Sequence, residues 1–201
     1  YWFGSVMELI SAVTMIAIIL SGAALIREKE RGTIEHLLAM PVSNSEIMLS
    51  KILATSLVVW LATLMSVYLI IMGALDVPIS GDIRLFMAAV ALQLFAVSSM
   101  GIFMATIARS MPQFGLLLIL VLLPLQLLSG GTTPRESMPD FIQYIMLLMP
   151  NTHFVMASQS VLYRSAGITV IYPQLIALFL IGCAFYFIAF KRFKNTIGSM
   201  A

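Results

Sequence analysis

The chain has 201 residues, of which 61% are hydrophobic and only 10% are charged, and its formal net charge is +2. Soluble domains carry about 25% charged residues, so this composition excludes a soluble globular fold. The long, continuous apolar runs predict spanning helices and exclude a transmembrane β-barrel, whose strands would alternate over about ten residues. The net charge is too small to predict nucleic-acid binding.

The apolar runs predict an all-α, polytopic membrane protein with five transmembrane helices. A helix needs about 20 predominantly apolar residues to cross the hydrocarbon core. The predicted spans cover residues 3–26, 52–75, 83–107, 113–128 and 169–190, within a single transmembrane domain of residues 1–201. The fourth span is short and contains Pro124.

A charged segment, residues 27–51, separates the first two spans and holds eight of the twenty charged side chains. Gly32 is expected to break the helix that leaves the membrane, and Thr33 can cap a new one. Pro41 should end this second helix, because the residue before a proline avoids helical geometry. Ser43 and Glu46 have the spacing of a capping box, which predicts the start of the helix that enters the second span.

Between Thr33 and Pro41, the apolar residues Ile34, Leu37 and Leu38 recur at helical spacing. They predict an amphipathic helix of about two turns. Its apolar stripe could rest on lipid headgroups or fit a groove on a soluble protein. Acidic side chains favour the protein partner, because an anionic membrane surface attracts basic residues. These side chains are Glu28, Glu30 and Glu35.

Residues 129–168, between the fourth and fifth spans, predict two short helices of about a dozen residues each. Ser137 or Asp140 could be the N-cap of the first, and Asn151 or Thr152 that of the second. Both helices are too short to cross a membrane, so we expect an interfacial or re-entrant pair on the outer side.

The basic residues predict the orientation of the spans. One set of loops holds eight of them, and the other set holds three. The first set is Arg27, Lys29, Arg31, Lys51, Arg109, Lys191, Arg192 and Lys194, and the second is Arg84, Arg135 and Arg164. The positive-inside rule therefore places residues 27–51 and the C-terminus in the cytoplasm. An external N-terminus without Met or a signal peptide suggests a fragment that lacks at least one earlier span.

Four polar residues within the spans are candidates for a substrate path or a dimer contact, because polar groups are expensive in lipid. They are Glu8, Gln93, Ser98 and Gln126. The alternatives are that Glu8 reaches the outer interface and that the other three bridge neighbouring helices. His36 and His153 fall on opposite sides of the membrane, and no metal or catalytic site is predicted.

Three stretches of the sequence resemble the bacterial ABC-2 type transporter permeases, particularly the YhhJ-like inner-membrane subgroup. They are REKERGTIEHLL with Pro41 at residues 27–41, GIFMATIARSMPQ at 101–113, and LPLQLLSGGTTPRE at 123–136. The resemblance implies that the two-turn helix is a cytoplasmic coupling helix, which docks on a separate ABC ATPase subunit. The residues expected at this contact are Glu28, Glu30, Arg31, Gly32, Thr33, Ile34, Glu35, Leu37, Leu38 and Pro41.

The resemblance also implies the rest of the assembly. Such permeases have six spans and a large extracytoplasmic domain after the first, so Tyr1 would begin at the second span. The short helices of residues 129–168 resemble their re-entrant outer segment. A second permease half and ATPase subunits that bind ATP and Mg would complete an exporter of drugs or other amphipathic compounds in the inner membrane.

This chain itself is not expected to bind a cofactor. Residues 128–132, LSGGT, resemble an ATPase signature sequence, but the chain has no Gly-rich loop that ends in Gly-Lys-Ser/Thr. The alternative function is an intramembrane enzyme that acts on lipid or peptide, which would need a nucleophile and a base at matching depth.

Overall fold

The computed structural model of the protein describes residues 2–32, 42–74, 81–131 and 133–198. These residues form seven α-helices: α1 (Trp2–Glu30), α2 (Asn44–Ser66), α3 (Ile83–Ile107), α4 (Met111–Leu128), α5 (Asp140–Met146), α6 (Pro150–Arg164) and α7 (Ile168–Gly198). A π-helix, Val67–Ala74, continues α2, and a 3-10 turn covers Arg135–Ser137.

Five of these helices, α1 to α4 and α7, are long and apolar enough to cross a membrane, which confirms the predicted all-α fold. Three of them extend well beyond the predicted apolar runs. Helix α1 continues to Glu30, α2 begins at Asn44, and α7 runs to Gly198. The charged residues at these three ends continue the helices beyond their apolar runs.

Successive spanning helices run in opposite directions. Helices α1, α3 and α7 end, and α2 and α4 begin, at the end of the bundle that we call the basic end because it carries Arg27, Lys51 and Arg109. The predicted capping box begins α2. Ser43 N donates to Glu46 Oε2 at 2.7 Å, and Glu46 N donates to Ser43 Oγ at 3.3 Å.

Helix α3 is the centre of the bundle and packs against α1, α2, α4, α6 and α7. Its contact with α1 depends on Gly101. A Cβ atom there would lie 2.3 Å from Ser21 Oγ and 2.7 Å from the Ile18 carbonyl oxygen. Glycine thus permits the close helix approach that is common between membrane helices.

Aromatic rings fill the contact between α3 and α7. The rings of Phe95 and Phe179 have centroids 6.5 Å apart, and those of Phe103 and Phe185 are 5.9 Å apart. These separations are typical of favourable aromatic pairs. Gly182 lets α7 approach, because a Cβ atom there would lie 2.7 Å from the Phe95 ring.

Helices α5 and α6 form the short pair expected at the opposite end of the bundle. The Asn151 side chain, at the start of α6, bonds to Thr14 in the middle of α1. Near the other end of α6, the Val161 carbonyl lies beside Gly81, just before α3 begins. A 15-residue helix is about 22 Å long, shorter than the hydrocarbon core, so α6 is too short to cross it.

The predicted N-caps of this pair and the predicted length of its first helix were wrong. Helix α5 has seven residues and begins after Pro139, and α6 begins at Pro150 after its N-cap, Met149. Proline is favoured at the first helical position, because its fixed φ suits a helix and its missing N–H costs nothing there. Asn151 and Thr152 therefore lie inside α6 rather than capping it.

A Gly101→Ala variant is expected to lower the free energy of unfolding by about 1–3 kcal/mol, because α1 and α3 must separate to admit the methyl group. Gly115→Ala in α4 is the matched control, since nothing lies within 4 Å of a Cβ atom there. The control should leave stability unchanged or raise it by up to about 1 kcal/mol. SDS titration of protein in bicelles measures both, and equal stability of the two variants would contradict the close α1–α3 contact.

Candidate functional site

Glu28, Lys29 and Glu30, at the end of α1, each contact a different helix. Consecutive residues of an α-helix project about 100° apart, so three neighbours in sequence can reach three surrounding helices. Together with Lys51 of α2, these residues form a cluster at the basic end that we call the charged clasp (Glu28, Lys29, Glu30 and Lys51).

Lys29 caps the end of α3. Its Nζ donates to the carbonyl oxygens of Ala105, Thr106 and Ala108 at 2.8, 3.4 and 3.1 Å. The last carbonyls of a helix have no partner within that helix. A cation there is also favourable because it faces the negative end of the helix dipole. One half-buried side chain thus satisfies three otherwise open acceptors.

Glu30 caps the start of α4. Its Oε1 accepts a hydrogen bond from Met111 N at 2.7 Å. The N-cap residue, Ser110, makes no side-chain capping bond, and Pro112 has no N–H to satisfy. A carboxylate is favoured at this positive end of the helix dipole. Adjacent residues of α1 therefore hold both sides of the short junction between α3 and α4.

Glu28 connects α1 to α2 through an ion pair with Lys51 Nζ, and both side chains are partly buried. The charged clasp therefore binds the end of α1 to α2, α3 and α4 together. Residues 33–41 follow the charged clasp in the sequence and lie outside the described residues.

The chain turns immediately after the charged clasp. Arg31 N donates to the Arg27 carbonyl at 3.0 Å, and Gly32 N donates to the Lys29 carbonyl at 3.3 Å. Gly32 has a φ of 68°, a left-handed conformation that glycine adopts without a steric penalty. This confirms that Gly32 ends the first helix.

The ten residues predicted to contact an ATPase fall into three groups. Glu28 and Glu30 belong to the charged clasp, and Arg31 and Gly32 are exposed beside it. The other six, Thr33, Ile34, Glu35, Leu37, Leu38 and Pro41, lie outside the residues that the structure describes. Contact with an ATPase stays a prediction for all ten. Lys29 and Lys51 were not predicted as site residues, because their partners are distant in sequence.

A second cluster of polar side chains lies in the middle of the bundle and connects α6 to three spanning helices. Thr14 Oγ1 donates to Asn151 Oδ1 at 2.8 Å, and Gln93 Nε2 donates to Thr14 Oγ1 at 3.0 Å. Asn151 Nδ2 donates to the Leu125 carbonyl at 3.2 Å, near the end of α4. We call Thr14, Gln93 and Asn151 the polar cluster; all three are at most 1% exposed.

The four polar candidates of the spans are in different environments. Gln93 belongs to the polar cluster, as the helix-bridging alternative anticipated, and Ser98 is fully buried. Glu8 is exposed on α1, and Gln126 is half-buried on α4. Their roles in a substrate path or a dimer contact remain predictions. Asn151 was missed because its position after Pro150 suggested only an N-cap.

Residues 3–163 match the family described as "ABC-2 type transporter". This is well over half of the chain, so the chain belongs to that family, as its resemblance predicted.

Individual relatives agree with this assignment. The chain is 60% identical over 200 residues to the "Inner membrane transport permease YhhJ" of Escherichia coli K12, a match that covers 100% of this chain and 54% of the relative. It is 32% identical over 186 residues to the "Probable multidrug ABC transporter permease YbhS" of the same organism, covering 91% of this chain and 48% of the relative. The "Probable multidrug ABC transporter permease YbhR" is 24% identical over 199 residues, with 98% and 53% covered. The chain thus spans about half the length of these relatives.

Replacing Lys29 with Met should lower the free energy of unfolding by about 1–2 kcal/mol, because the carbonyls at the end of α3 lose their donor while the apolar stem is kept. Arg31→Met is the control, since Arg31 is an exposed neighbour for which no side-chain bond is seen among the described residues. SDS titration of both variants in bicelles measures the difference. If both behave like the wild type, Lys29 does not cap α3 in a way that stabilises the protein.

The polar cluster is tested with a double-mutant cycle of Thr14→Val and Asn151→Leu. We expect the effects of the two substitutions on the free energy of unfolding to be non-additive by about 0.6–1.7 kcal/mol, because each removes the same side-chain bond. The control cycle pairs Asn151→Leu with Thr106→Val, whose hydroxyl bonds to the Phe103 carbonyl. Additivity in both cycles would show that Thr14 and Asn151 are not coupled.

Proposed function

We propose that this chain is part of the permease subunit of an ATP-driven exporter in a bacterial inner membrane. ATP and Mg would be bound by a separate ATPase subunit, and a second permease half would complete the membrane part. Membership of the ABC-2 type transporter family supports this proposal. The observation that carries it is the charged clasp, which connects the segment leading to residues 33–41 with three spanning helices.

We infer that residues 33–41 dock on the ATPase. Helices α1 and α2 flank this segment directly, so a displacement of the segment acts on both. Lys29 and Glu30 extend the same displacement to the junction of α3 and α4, because they are bonded to the facing ends of these helices. The charged clasp would thus make one docking event move four helices together.

The polar cluster would carry this movement to the opposite end of the bundle. Thr14 lies on α1 and is bonded to Asn151 at the start of α6, which we propose to be re-entrant. Movement of α1 therefore acts on α6, which lies where a cargo would leave. Access to a central path would then alternate as the ATPase closes and opens.

The proposed orientation places the basic end in the cytoplasm. Eight basic residues belong to this end of the bundle and three to the opposite end, which agrees with the positive-inside rule. The C-terminus, after α7, is then cytoplasmic as well, and α5 and α6 lie on the outer side.

The cargo class that we propose is drugs or other amphipathic compounds. Two relatives are described as probable multidrug permeases, which supports this class.

The exposed apolar face of α4 is suited to contact with lipid or with a second permease half. Its residues include Leu116, Ile119, Leu120 and Leu123.

The docking proposal predicts the effect of Leu37→Glu with Leu38→Glu in the full-length protein. Two carboxylates on the apolar stripe should prevent a groove on the ATPase from enclosing it, because burying an unpaired charge is costly. We expect loss of ATPase co-purification and of transport-linked ATP hydrolysis, measured on the reconstituted complex.

The control is Leu148→Glu, which adds a carboxylate at a 67% exposed leucine at the opposite end. It should keep co-purification at the wild-type level. Unchanged co-purification and ATP hydrolysis in the Leu37, Leu38 variant would show that residues 33–41 are not the docking site.

A further inference from the structure

A cavity of about 440 Å³ lies at the end of the bundle opposite the basic end, between the loop after α4, the second half of α6 and the start of α7. Two arginines line it: Arg135 is half-buried and Arg164 is exposed. The other polar side chains around it are Ser129, Gln159, Ser160 and Gln174. No carboxylate is among its lining residues within the described part of the chain.

The arginines of this cavity have much unused hydrogen-bonding capacity. A guanidinium carries five N–H donors, and the bond seen for Arg135 goes from Nη1 to Met156 Sδ at 3.0 Å, which is a weak acceptor. Among the side chains that the structure describes, no carboxylate lies at ion-pair distance from either arginine. Gln174 Oε1 is also buried without a hydrogen-bond partner. The cavity therefore presents positive charge and amide groups to a ligand.

The loop after α4 is shaped around the Arg135 side chain. Gly130 has a φ of 93°, and a Cβ atom there would lie 3.0 Å from Arg135 Cγ. Glycine is needed at this position for both its backbone conformation and its small size. The loop thus holds Arg135 against the cavity rather than leaving it free in solvent.

We expect the cavity to lie near the depth of the lipid headgroups, because the spanning helix α7 begins beside it. Helix α7 begins at Ile168, close to Arg164, and enters the apolar region from there. Tyr163 and Tyr172 are both exposed beside this boundary. Tyrosine is enriched where a membrane meets water, because its ring is apolar and its hydroxyl is polar.

We propose that this cavity binds a phosphate group, presented by the headgroup of an anionic phospholipid or by a soluble phosphate ester. The guanidinium of an arginine matches phosphate oxygens in geometry and charge, and two arginines line this cavity. The neighbouring amides and hydroxyls suit the hydroxyl groups of a glycerol headgroup. The proposal requires that α7 spans the membrane, but it depends neither on the orientation of the chain nor on an ATPase partner.

The test uses full-length protein in nanodiscs of phosphatidylcholine. One arm adds phosphatidylglycerol to the lipid, and the other adds glycerol 1-phosphate to the solution; retention of either is measured by native mass spectrometry. We expect Arg164→Gln to weaken retention about tenfold, the loss typical of a charge-assisted hydrogen bond. Arg135→Gln together with Arg164→Gln should abolish it. Arg84→Gln, at the same end but outside this cavity, should retain the ligand like the wild type.

If the arginine variants lose retention of phosphatidylglycerol, the ligand is a lipid headgroup. If they lose retention of glycerol 1-phosphate, the ligand is a soluble phosphate ester. Equal retention by the wild type and the Arg164→Gln variant in both arms would overturn the proposal. Equal weakening by Arg84→Gln would overturn it too, because binding would then reflect general surface charge. Arg164 is exposed, so its single variant keeps the test decisive if the double variant does not fold.

Discussion

Without the end of α1, the junction between α3 and α4 would contain backbone groups that lack hydrogen-bond partners. These groups are the carbonyls at the end of α3 and an N–H at the start of α4. Helix ends need partners from elsewhere when they are withdrawn from water. Lys29 supplies donors to the end of α3, and Glu30 supplies an acceptor at the start of α4. The arrangement at the basic end depends on this pair of opposite charges, because it makes α1 part of the junction that follows α3.

The charged clasp and the polar cluster hold α1 at two depths. Thr14 and Lys29 are 15 residues apart, which is about 22 Å along a helix. At one level α1 is bonded to α2, α3 and α4, and at the other it is bonded to α3 and to the short helix α6. Helix α1 therefore connects the segment before residues 33–41 with the opposite end of the bundle, which is the mechanical basis of the proposed function.

Local patterns in the sequence were sufficient to predict the spanning helices, the capping box at Ser43 and the helix break at Gly32. Each depends on residues within one or two turns of each other. The roles of Lys29 and Asn151 could not be predicted in this way, since their partners lie 76 and 137 residues away in the chain. An apolar run says where a helix crosses the membrane, but not which of its few polar side chains meets another helix.

The central claim is that the charged clasp moves as one body with the junction between α3 and α4. Spin labels at Arg31→Cys and Arg109→Cys, two exposed positions, measure it in the full-length transporter with Cys183 replaced by Ser. Double electron–electron resonance would compare the nucleotide-free complex with the ATP-trapped complex. The distance should change by no more than about 2 Å if the two move together, whereas a change of about 5 Å, one helical turn, would show that they move separately.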